Sequence, residues 1–227
     1  ATVLLLNPDA TVQSGIDDLV REVVQPGVGA AGGRLISDTG EDQHGFNVRS
    51  FPTPATLAME VAGLNRLLPW NPVNTRYRLS VTETSDVEQP AGAFLMVNRL
   101  AWQAIGGFDE RFHPAWFEDV DFCMRLRHSG YRIRFVPAAT ATHTGGHSAD
   151  KLTWHDRQLF WYGNLLRFAC KHYTSAGTRV VAGAVMLGAV VRCAIGLAGG
   201  NRHAASAYNQ VFRQALKYWF NDCGSAT

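Results

Sequence analysis

Gly106-Gly107-Phe108-Asp109-Glu110, followed within a few residues by Trp116-Phe117-Glu118-Asp119-Val120-Asp121, is the stretch on which this sequence turns. It sets acidic side chains between a glycine turn and the start of a predicted helix over 116–129, which stops at Gly130. Phe108, Phe112, Trp116 and Phe117 are interleaved with them. A surface loop has no packing reason to combine so much apolar area with so much negative charge. A pocket for a polyhydroxylated or cationic group does.

Helical geometry separates the carboxylates. Successive helical residues are turned by about 100°, so Glu118, Asp121 and Arg125 fall within roughly 60° of arc and can pair at i,i+3 and i,i+4. An Asp121–Arg125 ion pair is the expected result. Asp119 points about 100° away from Glu118, toward Phe122 and Leu126, and is left without a local cation. An unpaired carboxylate at a pocket edge suits a general base.

Outward from this centre, strands and helices alternate. Residues 92–97 read as a buried strand, 99–105 as a short helix closed by Gly106, and 131–136 as a strand ended by Pro137. Residues 138–148 read as an extended loop rich in threonine, glycine and histidine. Upstream, Val3-Leu4-Leu5-Leu6 is a strand ending at Asn7-Pro8-Asp9, and Ser14 is placed to cap a helix over 15–25. Residues 28–36 form a glycine-bearing strand, 37–56 a polar, punctuated stretch, 57–68 a helix ended by Pro69, and 70–88 a loop. This order predicts an α/β fold, a mostly parallel sheet flanked by helices. A buried-strand pattern at residue 3 is an unusual place for a fold to begin, so a fragment lacking an upstream segment is expected.

Bulk properties bound the function. A 227-residue chain with 46% hydrophobic and 18% charged residues builds a globular core. It is read as one α/β domain over 1–150 and a helical extension over 151–227. A net charge of +2 gives no strongly basic face, so nucleic acid is not an expected partner. Cys123, Cys170, Cys193 and Cys223 lack CxxC spacing and read as free thiols in a reducing cytosol. Residues 154–172 are helix-compatible. The apolar run 180–191, interrupted by Arg192, falls short of the roughly 20 residues of a spanning helix. It is either a packing helix or a membrane-surface helix aided by Arg192, Arg202 and Lys217, with peripheral contact through residues 175–220.

Taken in order, Leu4-Leu5-Leu6-Asn7-Pro8-Asp9, Gly92-Ala93-Phe94-Leu95-Met96, Gly106-Gly107-Phe108-Asp109-Glu110, Glu118-Asp119-Val120-Asp121-Phe122-Cys123 with Arg125-Leu126, and Gly130-Tyr131-Arg132-Ile133 through Val136-Pro137 to His143 and Ser148 resemble the family 2, inverting glycosyltransferases of bacterial rhamnosyltransferase type. The likeness covers residues 1–148 and implies part of a GT-A fold, chiefly its acceptor side. The family's opening half, which holds the base and ribose of the donor, has no counterpart here. Nothing in the likeness speaks for residues 175–227.

The resemblance implies a site. Asn7 and Asp9 would face the donor diphosphate, with Asp9 and His143 holding Mg2+ or Mn2+; imidazole suits manganese better. The bland alternatives are a helix-entry aspartate for Asp9 and a solvated loop residue for His143, and the latter is favoured for His147. The Glu118–Asp119 pair would contain the catalytic base, assigned to Asp119. Trp116, Glu118, Asp109 and Gly92 would line the acceptor, although Trp116 also suits a core. Gly106-Gly107 lacks the context of a dinucleotide site. The implied activity is metal-dependent transfer of a sugar from a nucleotide-diphosphate donor to a glycan or lipid-linked acceptor, at the cytoplasmic face of a bacterial membrane. The rival reading is a non-catalytic glycan-binding or scaffold domain.

Overall fold

The computed structural model describes residues 1–145 and 152–220, and the chain clusters into two compact units. Residues 1–51, 76–111 and 118–148 form the first; residues 52–75, 112–117 and 149–227 form the second. His147 and Ser148 of the exit segment, and Cys223, lie outside the described residues. The strands are β1 (Thr2–Leu6), β2 (Ala10–Ser14), β3 (Val28–Ile36), β4 (Val48–Arg49), β5 (Arg78–Leu79), β6 (Ser85–Asp86), β7 (Gln89–Pro90), β8 (Phe94–Asn98) and β9 (Arg132–His143). The helices are α1 (Ile16–Val23), α2 (Pro54–Val61), α3 (Leu64–Leu67), α4 (Pro72–Tyr77), α5 (Arg99–Ile105), α6 (Glu118–His128), α7 (Trp154–His172), α8 (Ser175–Ala198) and α9 (Arg202–Phe220).

In the first unit a six-stranded sheet has the order β1-β8-β3-β9-β2, with β6 also paired to β9. The α/β class is as expected, but the sheet is mixed and not mostly parallel. Among the described residues only β3 and β9 are parallel neighbours; β8 runs antiparallel to both β1 and β3, and β2 and β6 run antiparallel to β9. β1, β3 and β9 still share one direction, because the reversed β8 separates β1 from β3. Strands buried on both faces carry no alternation that reports direction, so sequence pattern could not see the reversal.

The strand period of two divides the β8 side chains between two cores. Phe94 and Met96 pack with Leu19 and Val23 of α1, together with Leu35, Val136 and Ala141. Leu95 and Val97 pack on the opposite side with Phe122, Cys123 and Leu126 of α6, Ala101 of α5, and Ile133 and Phe135. α5 keeps its expected bounds: the Asn98 side chain accepts from the amides of Leu100 and Ala101, and Gly106, at φ 76°, ends it.

Two local expectations fail for visible reasons. Ser14 does not cap α1; it closes β2 and its hydroxyl pairs with Thr140 at 2.9 Å. Gly15 takes the cap position at φ 77°, and a Cβ there would lie 2.4 Å from the Ala139 Cα, so only glycine fits. β9 does not stop at Pro137 but continues to His143. Val136 pairs with Gly33 and Thr140 with Arg34, so residues 137–139 bulge out of the ladder. A bulge tolerates the missing proline N–H, and the segment read as a loop is therefore strand.

In the second unit, Thr153 and Thr174 cap α7 and α8 through the amides of Asp156 and Gly177. α8 is 24 residues long and passes straight through Arg192, whose guanidinium bonds back to the Gly188 and Val61 carbonyls. The run read as too short is thus part of a helix long and apolar enough to cross a membrane by length and composition alone, with a third of its most apolar window buried inside the fold. Asn164 of α7 donates to the carbonyls of Phe112 and Ala115, each at 2.7 Å, and Phe117 packs against Trp161 and Phe168. The aromatic segment before α6 is thereby fixed to α7. Cys123 and Cys193 are free thiols as expected, whereas Cys170 is disulfide-bonded, contrary to that reading.

Candidate active site

Because β1, β3 and β9 share a direction, their carboxyl ends meet at one edge of the sheet, beside the amino end of β8. Backbone bonds tie this rim together. The Asn7 amide donates to the Ala93 carbonyl at 3.0 Å, and the Ala91 amide donates to the Asn47 carbonyl at 3.0 Å. The Thr144 amide donates to the Asp9 carbonyl at 3.2 Å. Carboxyl ends of open α/β sheets are where ligands bind.

Asp9, just past β1, and His143, at the end of β9, come together here. His143 Nε2 lies 3.6 Å from Asp9 Oδ1, and their side chains are only 6% and 8% exposed. Asn7 Nδ2 is 3.5 Å from the same ring nitrogen. The sequence missed the rest of the setting. Gln43 bonds His143 twice, its Oε1 standing 3.1 Å from Nδ1 and its Nε2 donating to the His143 carbonyl at 2.6 Å. Phe46 stacks on the imidazole with centroids 5.4 Å apart and planes 13° apart. Arg49 follows, its guanidinium 5.2 Å from the Phe46 ring centre and 5.8 Å from that of Tyr77. Only the Gln43 position on a turn-rich segment hinted at this, and that signal is too weak to single it out.

A carboxylate oxygen and an imidazole nitrogen converging in one buried corner fit a divalent cation, and the imidazole favours Mn2+ over Mg2+. No group of three or more His, Cys, Asp or Glu side chains gathers for a metal among the described residues. Such a cation would depend on diphosphate oxygens and water to fill its shell, as is usual for ions that serve phosphates.

Around the start of α6 the carboxylates separate as helical geometry predicted. Arg125 Nε donates to Asp121 Oδ2 at 2.8 Å and its other nitrogens donate to the Ile105 and Gly107 carbonyls, each at 2.7 Å. Asp121 is fully buried, however, so this is not the exposed, weak pair that i,i+4 spacing by itself suggests. Asp119 has no cation partner among the described residues; it accepts from the Val120 amide at 2.7 Å and the Gly92 amide at 3.4 Å. Gly92 is required by that approach, since a Cβ there would lie 2.7 Å from the Asp119 Cβ. Burial and the neighbouring Asp119 charge push the Glu118 carboxyl up to about 7, and its Oε2 is buried with no hydrogen-bond partner among the described residues. Burial also pushes the Tyr77 phenol up, with Arg49 opposing the rise and the Asp119 charge adding to it.

The remaining expected residues behave differently. Asp109 clamps Arg111 through both carboxylate oxygens, at 3.0, 3.2 and 2.8 Å, so its charge is engaged within its own turn. Trp116 is half-buried and belongs to the second unit; it and Phe117 hold left-handed backbone, φ 74° and 71°, which non-glycine residues rarely adopt.

Residues 61–219 match the family model described as glycosyl transferase family group 2, and the chain belongs to that family. It is 27% identical over 170 residues to the rhamnosyltransferase WbbL of Escherichia coli (strain K12), covering 70% of this chain and 60% of that protein. It is 33% identical over 153 residues to the N-acetylglucosaminyl-diphospho-decaprenol L-rhamnosyltransferase of Mycobacterium tuberculosis (strain ATCC 25618 / H37Rv), covering 66% of this chain and 48% of that protein. The chain thus spans about half the length of these curated relatives. A crystal structure of GalNAc-T7 with UDP, GalNAc and Mn2+ overlays at a TM-score of 0.45 and 14% identity, over 74% of this chain and 31% of that one, too slight a likeness to carry an argument.

Proposed function

We propose that this chain carries the metal-binding and acceptor-side portion of an inverting glycosyltransferase that moves a sugar from a nucleotide-diphosphate donor to a glycan or lipid-linked acceptor in polysaccharide synthesis. One observation carries the reading. Asp119 is bonded to the Gly92 amide, and the next residue, Ala93, accepts the amide of Asn7, so the candidate base and the Asp9–His143 corner share one sheet edge.

Asp119 takes the proton of the acceptor hydroxyl as that oxygen attacks the anomeric carbon from the face opposite the diphosphate, which inverts the centre. Glu118, neutral below about pH 7, can donate to an acceptor oxygen without competing as a base. Asn7, Asp9 and His143 hold the diphosphate side. Bound there, a divalent cation would supply neutralisation of the leaving-group charge. The names of the relatives support an L-rhamnose donor over a hexose, and that of the mycobacterial relative supports a lipid-diphosphate acceptor. The proposed place of action is the inner face of a bacterial membrane, with α8, apolar along most of its length, as the segment of contact.

The test is a donor panel, deoxythymidine-diphosphate rhamnose against uridine-diphosphate hexoses, with a short-chain prenyl-diphosphate glycan as acceptor and Mn2+ or Mg2+ supplied. The protein should transfer one sugar with inversion, read from the anomeric NMR coupling of the product. Saturable glycan binding without turnover of any donor would instead identify a glycan-binding domain.

A further inference from the structure

We infer that Gln43 is a positioning residue that fixes the tautomer and the ring orientation of His143, keeping the Nε2 lone pair turned toward Asp9. This rests on the reading of the Asp9–His143 corner given above. The argument is one of hydrogen-bond inventory. A backbone carbonyl only accepts, so the Gln43 atom 2.6 Å from the His143 carbonyl must be its amide nitrogen. The amide orientation is then set, and the atom facing His143 Nδ1 at 3.1 Å is the carbonyl oxygen Oε1. An oxygen with no hydrogen requires Nδ1 to be the donor. The neutral ring therefore carries its proton on Nδ1, and Nε2 is left as a bare acceptor.

A histidine side chain left to itself in water holds its proton mainly on Nε2, so the protein imposes the opposite form. The consequence falls at the right place. Nε2 lies 3.6 Å from Asp9 Oδ1, too far to donate to it, and 3.5 Å from the side-chain nitrogen Nδ2 of Asn7, a donor that an unprotonated Nε2 can accept from. Phe46, stacked at 13° to the ring, holds its plane.

Gln43 is itself well anchored. Its amide donates to the Leu35 carbonyl at the end of β3, and its carbonyl accepts from the amides of Phe46 and Asn47. Asn47 in turn bonds both the amide and the carbonyl of Leu35. The polar segment between β3 and β4 thus delivers one amide side chain to one imidazole. Outer partners of this kind commonly change metal affinity by about 10–100-fold when removed.

The decisive readout is the tautomer, measured without metal by two-bond nitrogen–proton NMR on protein labelled at histidine nitrogen, at a pH where the ring is neutral. Native protein should carry His143 as the Nδ1–H form. Gln43→Leu should move it toward Nε2–H, as should Gln43→Met, which keeps the length of the side chain but offers Nδ1 no oxygen. Should Gln43→Leu fail to fold, the native spectrum and Gln43→Met still decide. An Nε2–H ring in native protein, or an unchanged tautomer in folded Gln43→Leu, overturns the inference. In parallel, Mn2+ affinity followed by electron paramagnetic resonance should fall about 10–100-fold in Gln43→Leu. An Nδ1–H ring that responds to Gln43→Leu in a protein that binds no Mn2+ would support the positioning role and sink the metal reading instead.

Discussion

His143 Nε2 and Asp9 Oδ1 stand 3.6 Å apart, brought together from the last residue of one strand and the turn after another. That separation is longer than a hydrogen bond and is readily bridged by a cation. Asp9→Asn and His143→Ala should each weaken Mn2+ binding at least tenfold in the presence of a nucleoside diphosphate, measured by calorimetry. Unchanged affinity in both variants would remove the metal from this corner.

Asp119→Asn should leave the fold and donor affinity intact while turnover falls by about 10²–10⁴-fold, the usual consequence of losing a general base. The amide keeps the volume but cannot take a proton. Near-native kcat in this variant would move the base elsewhere.

Gly92→Ala probes the same carboxylate indirectly. The new Cβ would sit 2.7 Å from the Asp119 Cβ, so Asp119 must shift. A displacement on the order of 1 Å at a reacting group can cost about 10²-fold in rate. The expected result is reduced kcat with a thermal midpoint close to native; full activity would mean that the position of Asp119 is unimportant.

Asp121→Ala should destabilise the protein by about 3–5 kcal/mol, because it leaves Arg125 in a partly buried site without its carboxylate. Denaturant unfolding with an unchanged slope gives the number directly. A loss under about 1 kcal/mol would place the pair in the weak, surface class.

Glu118 makes stability depend on pH. Its folded pKa of about 7 lies above the ordinary carboxyl value of 4.5, so the folded protein holds this proton more tightly. Below about pH 4.5 both states are protonated and there is no penalty. As pH rises through 4.5 toward 7 the unfolded state loses its proton first, and stability falls by up to roughly 3 kcal/mol. Glu118→Gln should therefore melt higher than the native protein at pH 8 and match it near pH 4. Identical differences at both pH values would mean that the carboxyl is not perturbed.

What the sequence determined is what lies within a few residues of itself. The opposite facing of Asp119 and Asp121 follows from a fixed turn per residue, and the Asp121–Arg125 pair from i,i+4 proximity. The span Arg99–Ile105 and its end at Gly106 follow from local capping chemistry. The motifs around Asp9 and His143 marked those two residues as a pair, because a resemblance carries long-range information that periodicity lacks.

Only the tertiary structure decided the rest. That Asp121 is buried depends on what covers α6, and that β9 survives Pro137 depends on a bulge opposite Gly33 and Arg34. The reversed β8, the hold of Asn164 on the Phe112 and Ala115 carbonyls, and the reach of Gln43 to His143 all join residues distant in the chain. Hydrogen bonds of that kind leave no local trace, since a glutamine in a polar turn satisfies water as readily as an imidazole. Which partner it meets is settled only when strand pairing brings the carboxyl ends of β3 and β9 side by side.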